Sequence, residues 1–345
     1  MMKKYLLLLV IACSGSVAFA QGNWDKTPYQ TKSLANDGIK DVFVKTSGGS
    51  ISVSGNGESP RVEVYVRGNN GQELSKEDID KRIAEDYDLS VTVSNHELHA
   101  IAKRKHEGSF NWRRQLSISF KIYTPRQVAT HLSTSGGSIH LDNLTGNEEF
   151  STSGGSLHID NLTGMIKGET SGGSIEVSNS KDNIQLETSG GSVRAKNCQG
   201  KIRLETSGGS LRMEDLNGTI KAETSGGSIQ ASDIQGELIT GTSGGSVNLT
   251  RMACSLEAST SGGSMHVDMS RLGKYIKLDV SGGHVDLKVP ADKGMDLDLS
   301  ASRINTARVS KFSGEWEKDR VKGTLNGGGV SVKVDASDSL NLSFN

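Results

Sequence analysis

Between Thr134 and Thr260 the chain repeats one pattern of apolar and polar positions at a constant step. The pentapeptide Thr-Ser-Gly-Gly-Ser begins at Thr134, Thr152, Thr170, Thr188, Thr206, Thr224, Thr242 and Thr260, with no insertion between copies. A degenerate copy starts at Val280 after a longer step, an outlier sits at Thr46, and Asn326 to Val330 has the look of a last one. Counting each repeat from its Thr, position 6 is apolar throughout (Ile139, Leu157, Ile175, Val193, Leu211, Ile229, Val247, Met265). Position 8 is apolar too, from Leu141 and Ile159 to Val267, and position 15 runs Ile166, Ile184, Ile202, Ile220, Leu238, Leu256 after a non-fitting Glu148. A polar residue intervenes between 6 and 8 and between 15 and 17. Period-two alternation of this kind predicts two short strands per repeat, each with one inward face.

Two corners join these strands. Ser-Gly-Gly, as in Gly136-Gly137, Gly154-Gly155 and Gly172-Gly173, supplies residues that tolerate positive φ at a sharp bend. The opposite corner carries Asn143, Asn161, Asn179 and Asn197 at position 10, then Asp215 and Asp233. In an antiparallel meander equivalent residues lie two strands apart and cannot touch. In a solenoid they stack one coil apart, where Asn side chains form amide ladders. The Asn run and the fixed repeat length therefore predict an all-β, single-domain parallel β-solenoid with 18-residue coils. At ~4.8 Å per coil, eight repeats give a rod of roughly 40 Å.

The flanks are less regular. Val42-Phe43-Val44 and Ile51-Ser52-Val53 bracket the Thr46 turn, Arg61 to Arg67 alternates as a strand, and further strands are expected around Leu89–Val93 and Leu116–Tyr123. Ser75-Lys76-Glu77-Asp78 opens one short helix inserted between coils, with Ile79, Ile83 and Tyr87 on one face. The expected division is a signal peptide over 1–20, N-terminal capping coils over 21–131, regular repeats over 132–287, and C-terminal coils and cap over 288–345.

Compartment follows from the N-terminal segment. Lys3 and Lys4 precede the apolar run Leu6–Ala12, and Ala18-Phe19-Ala20 closes the segment, as in a secretory signal peptide. Val10-Ile11-Ala12-Cys13 also fits a loose lipid-attachment site at Cys13, although the small-x-small site is the cleaner match. No later apolar run is long enough to cross a bilayer. The protein is expected in the periplasm or at the cell surface of a bacterium. Of 39 basic residues, Lys3 and Lys4 leave with this segment, so 37 remain against 40 acidic ones. That balance argues against a nucleic-acid partner. Forty-two glycines and few aromatics fit a fold of many turns around a thin core. Cys198 and Cys254 lie three repeats apart, roughly 14 Å at ~4.8 Å per coil, too far for a disulfide.

The Gly-Gly-Ser-(Ile/Val)-x-(Val/Leu) unit resembles the bacterial putative-adhesin family of unknown function, exported β-helix proteins related to auto-transporter adhesin heads. The resemblance spans about Thr46 to Phe344 and includes Gly323 to Val332. It implies the fold and an adhesive role, and brings no catalytic residues to carry over.

Candidate chemistry is sparse. His140/Asp142 and His158/Asp160 on adjacent coils, with His266/Asp268 further along, have the residue types to share a divalent cation. Glu169, Glu187, Glu205 and Glu223 stack as like charges, with Lys167, Arg203 and Lys221 as diagonal partners. Lys103, Arg104, Lys105, Phe110, Trp112, Arg113 and Arg114 mix basic and aromatic side chains between two strands, suited to acidic glycans. Alternation puts position-1 Thr inside and Ser at a corner, which argues against an ice-binding face. Gly-Gly is not followed by the Gly-x-Asp of calcium-binding glycine repeats. Asp338-Ser339-Leu340 matches a short O-glycosylation signal. The expected function is a non-catalytic, adhesin-like scaffold without cofactor, binding cell-surface glycans or envelope proteins. The alternative is a β-helix carbohydrate enzyme such as a polysaccharide lyase, which would need convergent acid–base residues in a groove.

Overall fold

The computed structural model describes residues 27–57, 59–69, 72–105, 114–307 and 310–344. The segment 1–20, Cys13, Phe110, Trp112 and Arg113 lie outside the described residues. The strands are β1 (Gln30–Ser33), β2 (Asp41–Thr46), β3 (Ile51–Ser54), β4 (Arg61–Gly68), then helix α1 (Lys76–Asp86), β5 (Tyr87–Ser94), β6 (Glu97–Arg104) and β7 (Leu116–Tyr123). The repeats supply β8 (Ala129–Thr134), β9 (Ile139–Asp142), β10 (Thr145–Thr152), β11 (Leu157–Asp160), β12 (Thr163–Thr170), β13 (Ile175–Ser178) and β14 (Lys181–Thr188). Longer strands that turn the Asn corner follow: β15 (Val193–Thr206), β16 (Leu211–Thr224), β17 (Ile229–Thr242) and β18 (Val247–Thr260). The C-terminal set is β19 (Met265–Met269), β20 (Tyr275–Val280), β21 (Val285–Val289), β22 (Met295–Thr306), β23 (Phe312–Trp316), β24 (Arg320–Leu325) and β25 (Val330–Phe344). β6 was not anticipated from the sequence.

Each repeat pairs in parallel with the next, offset by one full repeat, with Ile166 opposite Ile184 on one side of the rung and Leu157 opposite Ile175 on the other. Positions 6, 8, 11 and 15 form one continuous buried core from Ile139 to Met269. Where Phe150 fills position 17, the next rung carries Gly168, whose Cβ would sit 2.3 Å from the Phe150 ring. The large ring and the missing side chain are one packing solution.

The Ser-Gly-Gly corner works differently from the sequence expectation. Neither glycine has positive φ. A Cβ on the second, Gly137, Gly155 or Gly173, would lie 1.9–2.1 Å from the carbonyl oxygen of the equivalent glycine one rung below. On the first, Gly136, Gly154 or Gly172, it would meet nothing nearer than 3.6 Å. Close backbone stacking, not handedness, excludes a side chain there. Buried Thr fastens the same corner: Thr170 Oγ1 donates to Gly155 O of the rung below (2.8 Å) and accepts from Gly173 N (3.3 Å). Outside, each Ser hydroxyl accepts from the backbone N–H one rung on, as Ser138 does from Ser156 (3.2 Å).

Positive φ belongs to the other corner. Asn143, Asn161, Asn179, Asn197, Asp215 and Asp233 all lie at φ 51–58°. This is the left-handed region that Asn and Asp tolerate best after glycine. Amide contacts run along the corner, with Asn161 Nδ2 donating to Asn143 Oδ1 (2.6 Å) and Asn197 Nδ2 to Asn179 Oδ1 (2.7 Å). Asn179 breaks the file by donating to Asp160 instead (2.6 Å).

At both ends the spatial order departs from chain order. β2 lies between β6 and β8, and β3 between β7 and β9, so the first rung of the chain is the second in space. The outermost rung, β6 and β7, is covered by antiparallel β5 and β4, and β1 covers β4. At the far end β25 slips between the β20–β21 rung and β22, which β24 and then β23 cover in antiparallel sense. Gly327, Gly328 and Gly329, all at positive φ, are thus the reversal from β24 into β25 rather than a last Ser-Gly-Gly corner. Helix α1 packs beside β5 at the N-terminal tip rather than between rungs. Ser75 caps it, accepting from Asp78 N (3.1 Å).

Candidate functional site

β6 and β7, which flank the basic–aromatic segment, are consecutive sides of the outermost rung and pair with β2 and β3. Two of the segment's cations, one beside each of these strands, reach the end of α1. Lys105 Nζ donates to Ala84 O (2.7 Å), and Arg114 reaches Asp86 Oδ2 (3.1 Å) and Glu85 Oε2 (2.5 Å). The bonds to Asp86 and then Glu85 raise the Arg114 pKa. Positive groups at a helix C-terminus complement its dipole. Tyr87 completes the anchor, its hydroxyl accepting from Leu116 N (2.8 Å). Lys103 is exposed and Arg104 half-buried.

The four cation candidates occupy β9 and β11. His140 and His158 stack ring on ring at 4.6 Å and 13°. Burial, and then the neighbouring His158, hold the His140 pKa down to about 4. The carboxylates turn to other partners. Asp142 Oδ2 accepts from Ser54 Oγ and Asn143 Nδ2 (2.7 Å each), and Asp160 Oδ1 from Ser178 Oγ and Asn179 Nδ2 (2.6 Å each). His266 and Asp268 face Asp286 (3.9 Å) and Lys288 (3.8 Å). Among the described residues no three His, Cys, Asp or Glu gather to hold a metal ion. Cys198 and Cys254 are free and buried, and burial raises their thiols to about 11 and 12.

A groove of about 470 Å³ opens on the opposite side of the rod, near its N-terminal end. Its floor is a column of rings from three rungs: His99 on Phe43 at 4.8 Å and 6°, and Phe43 on His131 at 4.7 Å and 11°. Their faces cover one another, so ring edges line the groove beside Lys45, Ile101 and Lys167. Sequence reasoning missed this column. Its members stand on three strands far apart in the chain, and they meet only because β2 is tucked between β6 and β8. The outward position of Phe43 in Val-Phe-Val was the one available signal.

Beneath the groove's rim lies Glu148, fully buried at position 15. Thr130 Oγ1 donates to Glu148 Oε2 (2.5 Å), while Oε1 has no partner. Burial pushes this carboxyl up to about 7, and the Thr130 bond opposes the shift. Within the Glu file, Arg203 pairs with Glu205 (2.5 Å) and Lys221 with Glu223 (2.9 Å).

Among the described residues no helix is long and apolar enough to cross a membrane. Three solved structures are similar to this chain. A "putative cell adhesion protein" from Clostridium sporogenes is 10% identical over 92% of this chain and 98% of its own, with a TM-score of 0.19. "Putative adhesins" from Bacteroides fragilis (15% identity, 74% and 95% covered, TM-score 0.34) and Parabacteroides merdae (14%, 74% and 94%, 0.32) are also similar. By name these neighbours are bacterial adhesins. No protein-family model matches the chain, and no curated protein matches it.

Proposed function

We propose that this chain is an exported, non-catalytic β-solenoid of adhesin type, presenting a rigid surface to glycans or proteins in the periplasm or at the cell surface. The regular rungs over 132–287 form the middle of the rod, and 21–131 and 288–345 add irregular coils and its caps. The observation that carries this reading is how many of the outward side chains of the rungs are engaged with one another. They bond to equivalent positions one rung away or to near neighbours: Lys167 to Glu149 (3.0 Å), Lys196 to Glu214 (3.0 Å), Lys277 to Glu257 (2.7 Å), and the Ser and Asn files. Such a surface is regular along its length and held by its own contacts, which suits display better than chemistry. Export rests on the signal-peptide pattern of residues 1–20.

The test is retention of the protein from Gln21 to Asn345 on immobilised acidic and neutral polysaccharides and on cell-envelope protein, with the supernatant analysed for shortened chains. Retention without products is expected. Appearance of products would overturn the non-catalytic reading in favour of a lyase or hydrolase. Loss of retention in the F110A/W112A/R113A variant would place the contact at the basic–aromatic segment between β6 and β7.

A further inference from the structure

Position 7 of the rungs carries Arg194, Arg212, Gln230, Asn248 and His266 in unbroken parallel register, one per rung. All five are exposed. Among the described residues the side chains of Arg194, Arg212, Gln230 and Asn248 make no hydrogen bond or ion pair, and His266 only approaches Asp286 (3.9 Å). Two of the carboxylates around them are already engaged. Lys196 holds Glu214, Arg251 holds Asp233, and Glu176, in register with Arg194, leans toward His158 (3.8 Å). Glu176 stands one rung before Arg194 in the same file, yet among the described residues neither guanidinium lies within ion-pair distance of a carboxylate. Two like charges therefore sit one rung apart, and an anion laid across them would relieve their repulsion.

We infer that this file is a track for an extended anionic polysaccharide laid along the rod axis, a reading that rests on the adhesin-type function above. Three features of the file carry it. Guanidinium forks match carboxylate and sulfate oxygens in planar, paired geometry. Beyond the two arginines, the exposed amides of Gln230 and Asn248 offer donors and acceptors to sugar hydroxyls. The repeat of these groups, ~4.8 Å per rung, is comparable with one pyranose unit of an extended chain, so each rung meets an equivalent part of the polymer.

The test is titration of the protein with polygalacturonate, heparin and neutral dextran, and with oligogalacturonates of rising length. Acidic polymers are expected to bind, with affinity growing until an oligomer spans the five rungs. The carboxylated and sulfated arms identify which anion the forks prefer. The R194Q/R212Q variant should bind about tenfold more weakly, while K201Q, on the opposite side of the rung, should match the wild type. Unchanged thermal melting would show that both variants fold. Binding of acidic polymers by R194Q/R212Q at wild-type strength would overturn the track and leave the adhesin reading standing. Dextran bound as tightly as polygalacturonate would do the same. Failure of the wild type to bind any polymer would overturn the track together with the glycan arm of the proposed function.

Discussion

The regular rungs and the two ends solve the same problem by different means. In the middle, every strand has a parallel neighbour on both edges because the repeats follow one another without interruption and carry the same inward pattern. At the ends no next repeat exists, and an open edge would invite pairing with other chains. The protein closes each end by tucking its terminal strands one rung inward, β2 and β3 at one end and β25 at the other, beneath a rung that antiparallel strands then cover. Regularity protects the middle. Topology protects the ends.

Breaking an end should have the largest effect. Truncation after Gly329 removes β25 and leaves β22 without its parallel partner. Met295 to Leu325 is expected to lose hydrogen-exchange protection entirely while Thr134 to Thr260 keeps it. Uniform loss along the rod would show that the two regions are not separable. Deleting one whole repeat, residues 170–187, should by contrast preserve cooperative melting, since its neighbours can stack across the gap.

Within the middle, the two corner glycines separate sharply. Gly173→Ala drives a methyl into a stacked carbonyl and should cost about 3 kcal/mol in urea unfolding, whereas Gly172→Ala should cost under about 1 kcal/mol. Equal costs would mean the corner relaxes freely.

Glu148 marks the junction between the two regions and makes it pH-sensitive. Its folded pKa of about 7 lies above the ordinary 4.5, so the folded state is disfavoured when the carboxyl ionises. Its penalty is absent below pH 4.5, grows as pH rises, and is complete above about pH 7. Glu148→Gln should therefore gain about 2–3 kcal/mol over wild type at pH 8 and nothing at pH 4. A pH-independent difference would sink this account.

The smallest effect compares one hydrogen bond in each region. Thr170→Val loses the bond to Gly155 O, and Thr46→Val the bond to Ile118 O (2.7 Å). Each should cost about 1 kcal/mol, measured by thermal melting. The Thr46 variant should also raise exchange locally in β6 and β7, because that rung has only one parallel neighbour.

Particular residues show how far the sequence could be read. Alternation placed Thr170, Ile175 and Ile184 inside, and marked Glu148 as out of pattern before its burial was known. Asn143 and its successors were legible as a stacked corner, though their left-handed backbone was not. The Ser-Gly-Gly pattern predicts positive φ where close stacking is the cause, because a sequence pattern cannot distinguish two reasons for lacking a side chain. β6 escaped notice because its inward residues after Leu98 are Ala100 and Ala102, which give a weak alternation signal.

The amino-acid sequence by itself determined the rung: its constant length, its inward positions, its two corners and the parallel register that identical repeats impose on one another. Tertiary structure alone decided which rungs are outermost, that Phe43 meets His99 and His131, and that Arg114 holds a helix end. Register between repeats follows from a local period, which any stretch of the chain displays. Satisfying a free sheet edge depends on strands distant in the chain, and no local pattern records which of them will come.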